Sequence, residues 1–456
     1  MRGIQGLMVA CVAGLCAWSS VAAAQGECGL KKGEGFVLEG ARIHVGDGST
    51  VIEAGAVAFD AQGRITAVGA GAAGPGMVID VTGKVITPGL VDFVTQLGLV
   101  EVEAVKGTVD TDSGGDRVRA AFRAWEGFNP NSLSIPVQRA GGVTSALIVP
   151  TGGLVSGQSA WINLSGERGF GAVIQSPVAM HMSFGEEGSA AAGGSRGGAL
   201  LALRELYDDV RFYQSNKSRY DGNQSRSLAD SRLDLEALAT TLAGKLPEGK
   251  LPEGKPLVGK LPVAVRVHRA VDILRVLEFC REQGLSPILI GATEAWIVRR
   301  ELAAAGVPVV IDPMSNTPSS FERLGEREDN ARLLHEAGVP VILSTFSTHN
   351  ARALRFQAGN AVRAGLPFEA ALRAVTLAPA QAAGVADRYG SLEVGKRASL
   401  AVWSGDPFEF SSKVERLFID GVEVSLDNRQ RRLMERYRAL PRRGKPASFD
   451  EVDELR

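Results

Sequence analysis

Residues 88–98 read Pro-Gly-Leu-Val-Asp-Phe-Val-Thr-Gln-Leu-Gly and lie inside an apolar run. This run predicts a strand over residues 85–95. Alternate side chains of a strand point to the same side, so Val94 and Gln96 face the same way. The nature of these two side chains is the main question that the sequence raises about function.

Beyond this strand, apolar strand-like runs alternate with helical patterns, which indicates a parallel α/β architecture. Two further strands are expected between residues 159 and 184, giving about eight, the number in a TIM-like (β/α)8 barrel. The other predicted strands span residues 143–150, 263–268, 287–292, 308–313 and 340–345. The predicted helices, with apolar residues at three-and-four spacing, span 271–283, 293–305, 330–337 and 351–364.

Both ends of the chain predict a small β-sandwich. Short β-like runs separated by glycine-rich turns occupy residues 25–85, and further strands follow the barrel in residues 386–426. The barrel itself is assigned to residues 86–385. Residues 243–262 contain a repeat of Gly-Lys-Leu-Pro-Glu that favours a solvated loop, and residues 427–456 form a charged tail.

Composition is that of an ordinary globular protein. The 456 residues are 45% hydrophobic and 22% charged, and the formal net charge is -1. A balanced charge creates no field that would attract nucleic acid or an anionic membrane, so these partners are not expected. Oligomerisation is left open.

The first residues have the pattern of a secretory signal peptide. Arg2 precedes an apolar run that is followed by small residues at 22–24, and the run is shorter than the roughly 20 residues that span a bilayer. We expect cleavage after Ala24, export to the periplasm and no stable membrane anchor. Cys28 and Cys280 then remain; a disulfide between them is allowed, and a buried Cys280 thiol is the simpler interpretation.

The chain resembles the amidohydrolase superfamily, and in particular exported members similar to imidazolonepropionase. The resemblance covers residues 38–424 and combines the first-strand motif with three further stretches. These are Ala-Gly-Gly-Val-Thr-Ser-Ala-Leu-Ile-Val-Pro at 140–150, Gly-Ala-Thr-Glu-Ala-Trp at 291–296 and Ala-Val-Thr-Leu-Ala-Pro-Ala-Gln-Ala-Ala-Gly at 374–384.

The resemblance implies a hydrolase of non-peptide carbon–nitrogen bonds. In such enzymes one or two divalent metal ions at the carboxyl ends of the strands activate a water molecule. The family motif of the first strand is Pro-Gly-Leu-Ile-Asp-x-His-x-His. The resemblance also implies ligands on the fourth, fifth and sixth strands and an aspartate on the eighth.

Four of the implied ligand positions hold residues that are poor metal ligands. Val94 has no lone pair, and the amide of Gln96 is a poor substitute for imidazole on zinc or iron. Gly291 occupies the sixth-strand position, and Phe346 replaces the aspartate of the eighth strand. His268 remains on the fifth strand, and His181 stands at the fourth-strand position.

Three interpretations of the site stay open. His181, His268, His349 and Asp312 form a rebuilt site for one zinc, iron or manganese ion if they converge; otherwise each is a hydrogen-bonded residue of the mouth, which we favour. A metal-free hydrolase would need Ser344 or Thr345 as nucleophile, with His349 or His268 as base. The loop acids Glu101, Glu103, Asp110 and Asp112 are either a binding site for a cation or simply solvated.

The sequence thus supports two functions: an amidohydrolase whose activity is altered, or a catalytically inactive relative that uses the barrel mouth to bind a small molecule or a partner. A mouth filled by Val94 and Phe346 would favour the second. Three or more nitrogen or carboxylate groups within reach of one metal would favour the first.

Overall fold

A computed structural model describes residues 35–166, 169–242 and 260–438. The predicted signal peptide, Cys28 and most of the Lys-Pro-Gly repeat lie outside these residues. The strands are β1 (Phe36–His44), β2 (Val51–Phe59), β3 (Ile65–Gly69), β4 (Met77–Asp80), β5 (Val85–Pro88), β6 (Leu90–Thr95), β7 (Val143–Ile148), β8 (Val155–Gln158), β9 (Ala160–Asn163), β10 (Val173–Gln175), β11 (Met180–Ser183), β12 (Val263–Val267), β13 (Pro287–Gly291), β14 (Val309–Ile311), β15 (Val341–Leu343), β16 (Leu400–Trp403), β17 (Val414–Ile419) and β18 (Val422–Glu423).

The helices lie mainly between the later strands. They are α1 (Ile135–Arg139), α2 (Glu186–Ala191), α3 (Arg196–Ser215), α4 (Lys217–Asp221), α5 (Arg232–Leu242), α6 (Ala270–Gln283), α7 (Arg299–Ala305), α8 (Asn330–Glu336), α9 (Leu354–Arg363), α10 (Phe368–Ala374), α11 (Leu377–Ala382) and α12 (Arg429–Arg438). None of the helices in the described ranges is long and apolar enough to cross a membrane.

Strands from both ends of the chain form one eight-stranded sheet. Its order is β18-β17-β16-β5-β1-β2-β3, with β4 also paired to β1. Its inward side chains, among them Phe36, Phe59 and Phe418, form a single apolar cluster that contains residues from both termini. The segments before and after the barrel therefore stabilise each other, although the whole barrel segment separates them in the sequence.

The predicted strand over residues 85–95 is in fact two strands. Gly89 separates β5, which joins the terminal sheet, from β6, which begins the barrel. A Cβ atom on Gly89 would lie 2.1 Å from the Thr144 hydroxyl of β7. Only glycine therefore allows the backbone to pass this close as it changes sheets.

The remaining strands give a TIM-barrel-like α/β fold. One sheet has the order β10-β9-β7-β6, and the other has the order β15-β14-β13-β12-β11-β8. Strands β11 to β15 are parallel, as are β6 and β7. Residues 155–163 belong to both sheets, because β8 pairs with β11 and β9 pairs with β7.

This shared strand corrects the all-parallel prediction. Both β8 and β9 run antiparallel to their neighbours. The chain between β7 and β8 contains a turn at Gly152 and Gly153, which have φ of 84° and 71°. A connection this short cannot hold the crossover that parallel neighbours need, so the chain returns in the opposite direction.

Side chains join the two sheets at the seam between β6 and β15. The carboxylate of Asp92, which is fully buried, accepts hydrogen bonds from the hydroxyls of Ser344 and Thr345 and from the Thr345 backbone N–H at 3.0 Å. Ser344 Oγ in turn accepts the Val94 N–H at 2.8 Å. The aspartate of the first-strand motif thus connects the first and last strands of the barrel.

The predicted outer helices are confirmed over most of their length as α6, α7, α8 and α9, although α7 begins six residues later than expected. The longest helix of the described residues, α3, was not predicted. Its buried Leu203, Leu206, Val210 and Tyr213 have the three-and-four spacing that would have identified it.

Candidate functional site

The carboxyl ends of four neighbouring strands surround one cavity. His268 follows β12, Gly291 ends β13, Asp312 follows β14 and Phe346 follows β15. The cavity has a volume of about 60 Å³. Ligand sites of TIM-like barrels lie at this end, so four of the positions chosen from the sequence line the expected site.

His268 is held in one orientation inside this cavity. Its Nδ1 lies 2.8 Å from the Thr293 hydroxyl, and its Nε2 lies 4.0 Å from Glu322 Oε1. Burial, together with the positive charges of Arg323 and Arg266, lowers the pKa of the imidazole from 6.5 to about 3. The ring is therefore neutral at physiological pH and one of its nitrogens is already hydrogen-bonded.

Gly291 leaves room for the His268 ring. A Cβ atom at this position would lie 2.5 Å from His268 Cε1 and 3.1 Å from each ring nitrogen, and Gly291 has φ of 87°. A histidine at position 291 and the present orientation of His268 are mutually exclusive. A sixth-strand histidine at position 291 would thus need the space that the ring of His268, the fifth-strand histidine, occupies.

The other residues that differ from the family motif, Val94, Gln96 and Phe346, also contact their neighbours in the folded protein. Val94 is 1% exposed and packs in the apolar cluster of the barrel interior, against which Phe346 also packs. The amide oxygen of Gln96 lies 3.2 Å from the Thr348 hydroxyl, which donates to it. Positions 94 and 346 thus contribute apolar side chains, and position 96 contributes an amide whose oxygen is already hydrogen-bonded.

His181 is too deep in the barrel to meet His268. It pairs with Ala264 in the ladder between β11 and β12, four residues before His268. A strand rises about 3.3 Å per residue, so the two positions differ by roughly 13 Å along the strand. Ligands of one metal ion each lie only about 2 Å from it, so these two histidines do not form a common site.

The two remaining candidates, Asp312 and His349, do not complete a metal site. Asp312 lines the cavity, accepts the Met314 N–H at 2.9 Å and has a pKa raised by burial. His349 lies in the loop after β15, where its carbonyl accepts a hydrogen bond from Gln138 Nε2. In the three described ranges no group of three or more His, Cys, Asp or Glu side chains could hold a metal ion. The residues present do not fit the metal that the resemblance implies.

The proposed nucleophiles are structural. Ser344 and Thr345 donate their hydroxyl protons to buried Asp92 at the seam, so neither is paired with a histidine base. Glu101 accepts hydrogen bonds from Asn129 and Ser132 and holds the loop that follows the first strand. Cys280 is buried, which raises the pKa of its thiol to about 12.

Sequence reasoning missed the polar wall of the cavity. The segment between β14 and α8 contributes Ser315, Arg323, Glu326 and Arg327, and α8 begins with Asn330. The signal available was the density of charge at 322–329, directly after the seventh predicted strand. These residues line the same cavity as His268.

Comparison with known proteins identifies the family. The profile of the amidohydrolase family matches residues 255–424. The crystal structure of an amidohydrolase from Thermotoga maritima MSB8 is similar, with 29% identity and a TM-score of 0.74, covering 86% of this chain and 99% of that chain. This chain belongs to the amidohydrolase superfamily.

Two further similarities place this amidohydrolase-superfamily protein among its relatives. The amidohydrolase tasK of Hapsidospora irregularis is 24% identical over 372 residues, which is 76% of this chain and 37% of tasK. The chain thus spans little more than a third of that relative. Molinate hydrolase has the same fold, with 17% identity and a TM-score of 0.52, covering 87% of this chain and 96% of that chain.

Replacement of His181 should change how stability depends on pH. Burial and the charge of Arg266 lower the pKa of His181 to about 3. Its contribution is therefore complete above pH 6.5 and declines as the pH falls towards 3, because only the unfolded imidazole then takes up a proton. On acidification, wild type should therefore lose about 1.4 kcal/mol more stability per pH unit than His181→Gln.

Urea unfolding between pH 7 and 4.5 measures this slope. His335→Gln is the matched control, since His335 is exposed on α8. An identical slope in wild type and His181→Gln would show that His181 is protonated or solvated in the folded protein.

Proposed function

We propose that this protein binds a small polar molecule at the barrel mouth and has lost the metal-dependent hydrolysis typical of its superfamily. The observation that carries the proposal is the packing of His268 into the space that a side chain at position 291 would need. Loss of a ligand alone is consistent with an altered metal site. Occupation of its place by the neighbouring ring favours a cavity that has been reshaped for binding.

Two other features support this proposal. Val94 and Phe346 belong to the same apolar packing, as expected for a mouth without metal ligands. The cavity keeps both apolar walls and convergent polar groups, which is the usual composition of a small-molecule site.

A turnover screen tests the loss of activity. We expect no hydrolysis of cyclic amides, imides, N-acyl amino acids or ureas above the rate of His268→Gln, with zinc, manganese or iron(II) added. The comparison with His268→Gln removes background from contaminating hydrolases. Turnover that requires His268 would contradict the proposal.

A second candidate is a hydrolase with an altered, metal-independent mechanism. One observation favours it: the imidazole of His268 and the carboxyl group of Asp312 line the same cavity. Histidine and aspartate are among the side chains that transfer protons in the hydrolysis of a carbon–nitrogen bond. Under this hypothesis His268→Ala abolishes activity and a chelator does not.

We also propose that the chain is exported, is cleaved after Ala24 and acts in the periplasm. The amino-terminal pattern of Arg2, an apolar run and small residues supports this. The intact mass of the protein recovered from the periplasm should be that of a chain beginning at Gln25. A mass that includes residues 1–24 would contradict the proposed cleavage.

A further inference from the structure

The polar wall of the cavity contains two hydrogen-bond acceptors without a donor. Glu326 has a side chain that is 1% exposed; its Oε1 accepts from the Ser315 hydroxyl at 2.8 Å, and its Oε2 has no partner among the described residues. Asn330 is 7% exposed, and its Oδ1 is likewise without a partner there. Both residues line the cavity that also contains His268 and Asp312.

The orientation of the Asn330 amide follows from its other contacts. Its Nδ2 lies 3.4 Å from the Ala292 carbonyl oxygen and 3.3 Å from that of Thr293, so an amide oxygen in this position would face two other acceptors. The amide oxygen must therefore be the atom that is left over. A buried acceptor without a donor is destabilising, so two in one cavity indicate that something else supplies the donors.

The two guanidinium groups of the cavity do not satisfy these acceptors. Arg327 binds Asp329 through two nitrogens and stacks on Trp296, with 4.6 Å between the guanidinium carbon and the ring centroid. Arg323 Nη1 lies 3.6 Å from Glu326 Oε1, beyond hydrogen-bonding distance and on the oxygen that Ser315 already binds. The Glu326 charge is thus only partly compensated.

We propose that the cavity recognises an organic cation with several N–H donors, of the guanidinium or amidinium type, which donates to Glu326 Oε2 and Asn330 Oδ1. The inference rests on the proposed binding function of the same cavity and names its ligand class. A planar cation with two N–H-bearing nitrogens supplies both donors and the missing positive charge. A metal ion does not, because these two oxygens are not joined there by a third His, Cys, Asp or Glu ligand.

Three small probes separate the features of such a ligand. Methylguanidine carries the charge and the donors, N-methylurea has a similar shape without the charge, and tetramethylammonium has the charge without donors. Calorimetric titration of the unmodified chain should show binding of methylguanidine, at least about ten-fold weaker binding of N-methylurea, and no binding of tetramethylammonium. Equal binding of N-methylurea or of tetramethylammonium, or no binding of any probe, would overturn the proposal.

Variants then locate the site. Glu326→Gln should weaken methylguanidine binding by about ten-fold or more, and Arg323→Gln should strengthen it by about three-fold. Glu336→Gln, on the exposed side of α8, is the matched control and should leave the affinity unchanged. An affinity that Glu326→Gln does not change in a folded variant would overturn the assignment.

The probe titration and the turnover screen fail independently. If no probe binds and no turnover is found, the ligand class is wrong while the loss of hydrolysis stands. If methylguanidine binds through Glu326 and the protein also hydrolyses amides with a metal, the ligand class stands and the proposed function is wrong.

Discussion

Asp92→Ala should destabilise the protein by about 5 kcal/mol, the largest effect expected of any substitution outside the apolar core. The substitution removes the acceptor of two hydroxyl donors and one backbone N–H, all of them buried at the seam between β6 and β15. Each unsatisfied buried donor costs about 1–3 kcal/mol. Chemical unfolding followed by circular dichroism measures the loss.

Asp92→Asn is the matched control. The amide oxygen still accepts from Ser344 and the Thr345 N–H, so the loss should be less than half of that in Asp92→Ala. Burial raises the pKa of Asp92 to about 6. The stability that this carboxyl contributes is therefore complete below its unfolded pKa of 3.8 and is lost as the pH rises through 6.

The difference in stability between Asp92→Asn and wild type should change with pH in one direction. From pH 3.5 to pH 7.5, Asp92→Asn should gain about 3 kcal/mol relative to wild type, because only the wild type must ionise a buried carboxyl. A small effect of Asp92→Ala, or a difference between Asp92→Asn and wild type that is independent of pH, would show that the seam is not closed by this carboxylate.

Gly291→Ala should cost about 3 kcal/mol and should move the His268 ring. A residue with a Cβ is strained at φ of 87°, and the added methyl group would lie 2.5 Å from His268 Cε1. Backbone strain accounts for about 1–2 kcal/mol and the contact for the rest. Unfolding measures the loss of stability, and the NMR shift of the His268 Cε1 proton measures the displacement.

Gly306→Ala separates the two causes. Gly306 follows α7 with φ of 62°, and nothing lies within 4 Å of the position of its Cβ. It should therefore show the backbone strain alone, about 1 kcal/mol. Equal losses at both positions, with no shift of the His268 signal, would contradict the competition between position 291 and the imidazole ring.

Most of the fold was predictable because each element carries its own signal. The apolar runs of β12 to β15 and the spacing in α6 are local patterns, and a parallel sheet follows from their alternation. The antiparallel strand of residues 155–163 was not predictable in the same way, because its direction depends on the length of the turn before it. The split at Gly89 depends on a contact with Thr144, which is distant in sequence.

The site was predictable in its position but not in its chemistry. Strand ends placed His268, Gly291, Asp312 and Phe346 around one cavity, as the barrel pattern implies. The separation of His181 from His268 depends on the register of β11 against β12, which no local pattern reveals. The buried acceptors at Glu326 and Asn330 depend on how a loop folds over the mouth.

The metal content of the purified chain tests the central claim most directly. After dialysis without a chelator, elemental mass spectrometry should find zinc, iron and manganese each far below one ion per chain. About one ion per chain that His268→Ala removes would contradict the account, since it would show that the barrel mouth still assembles a metal centre.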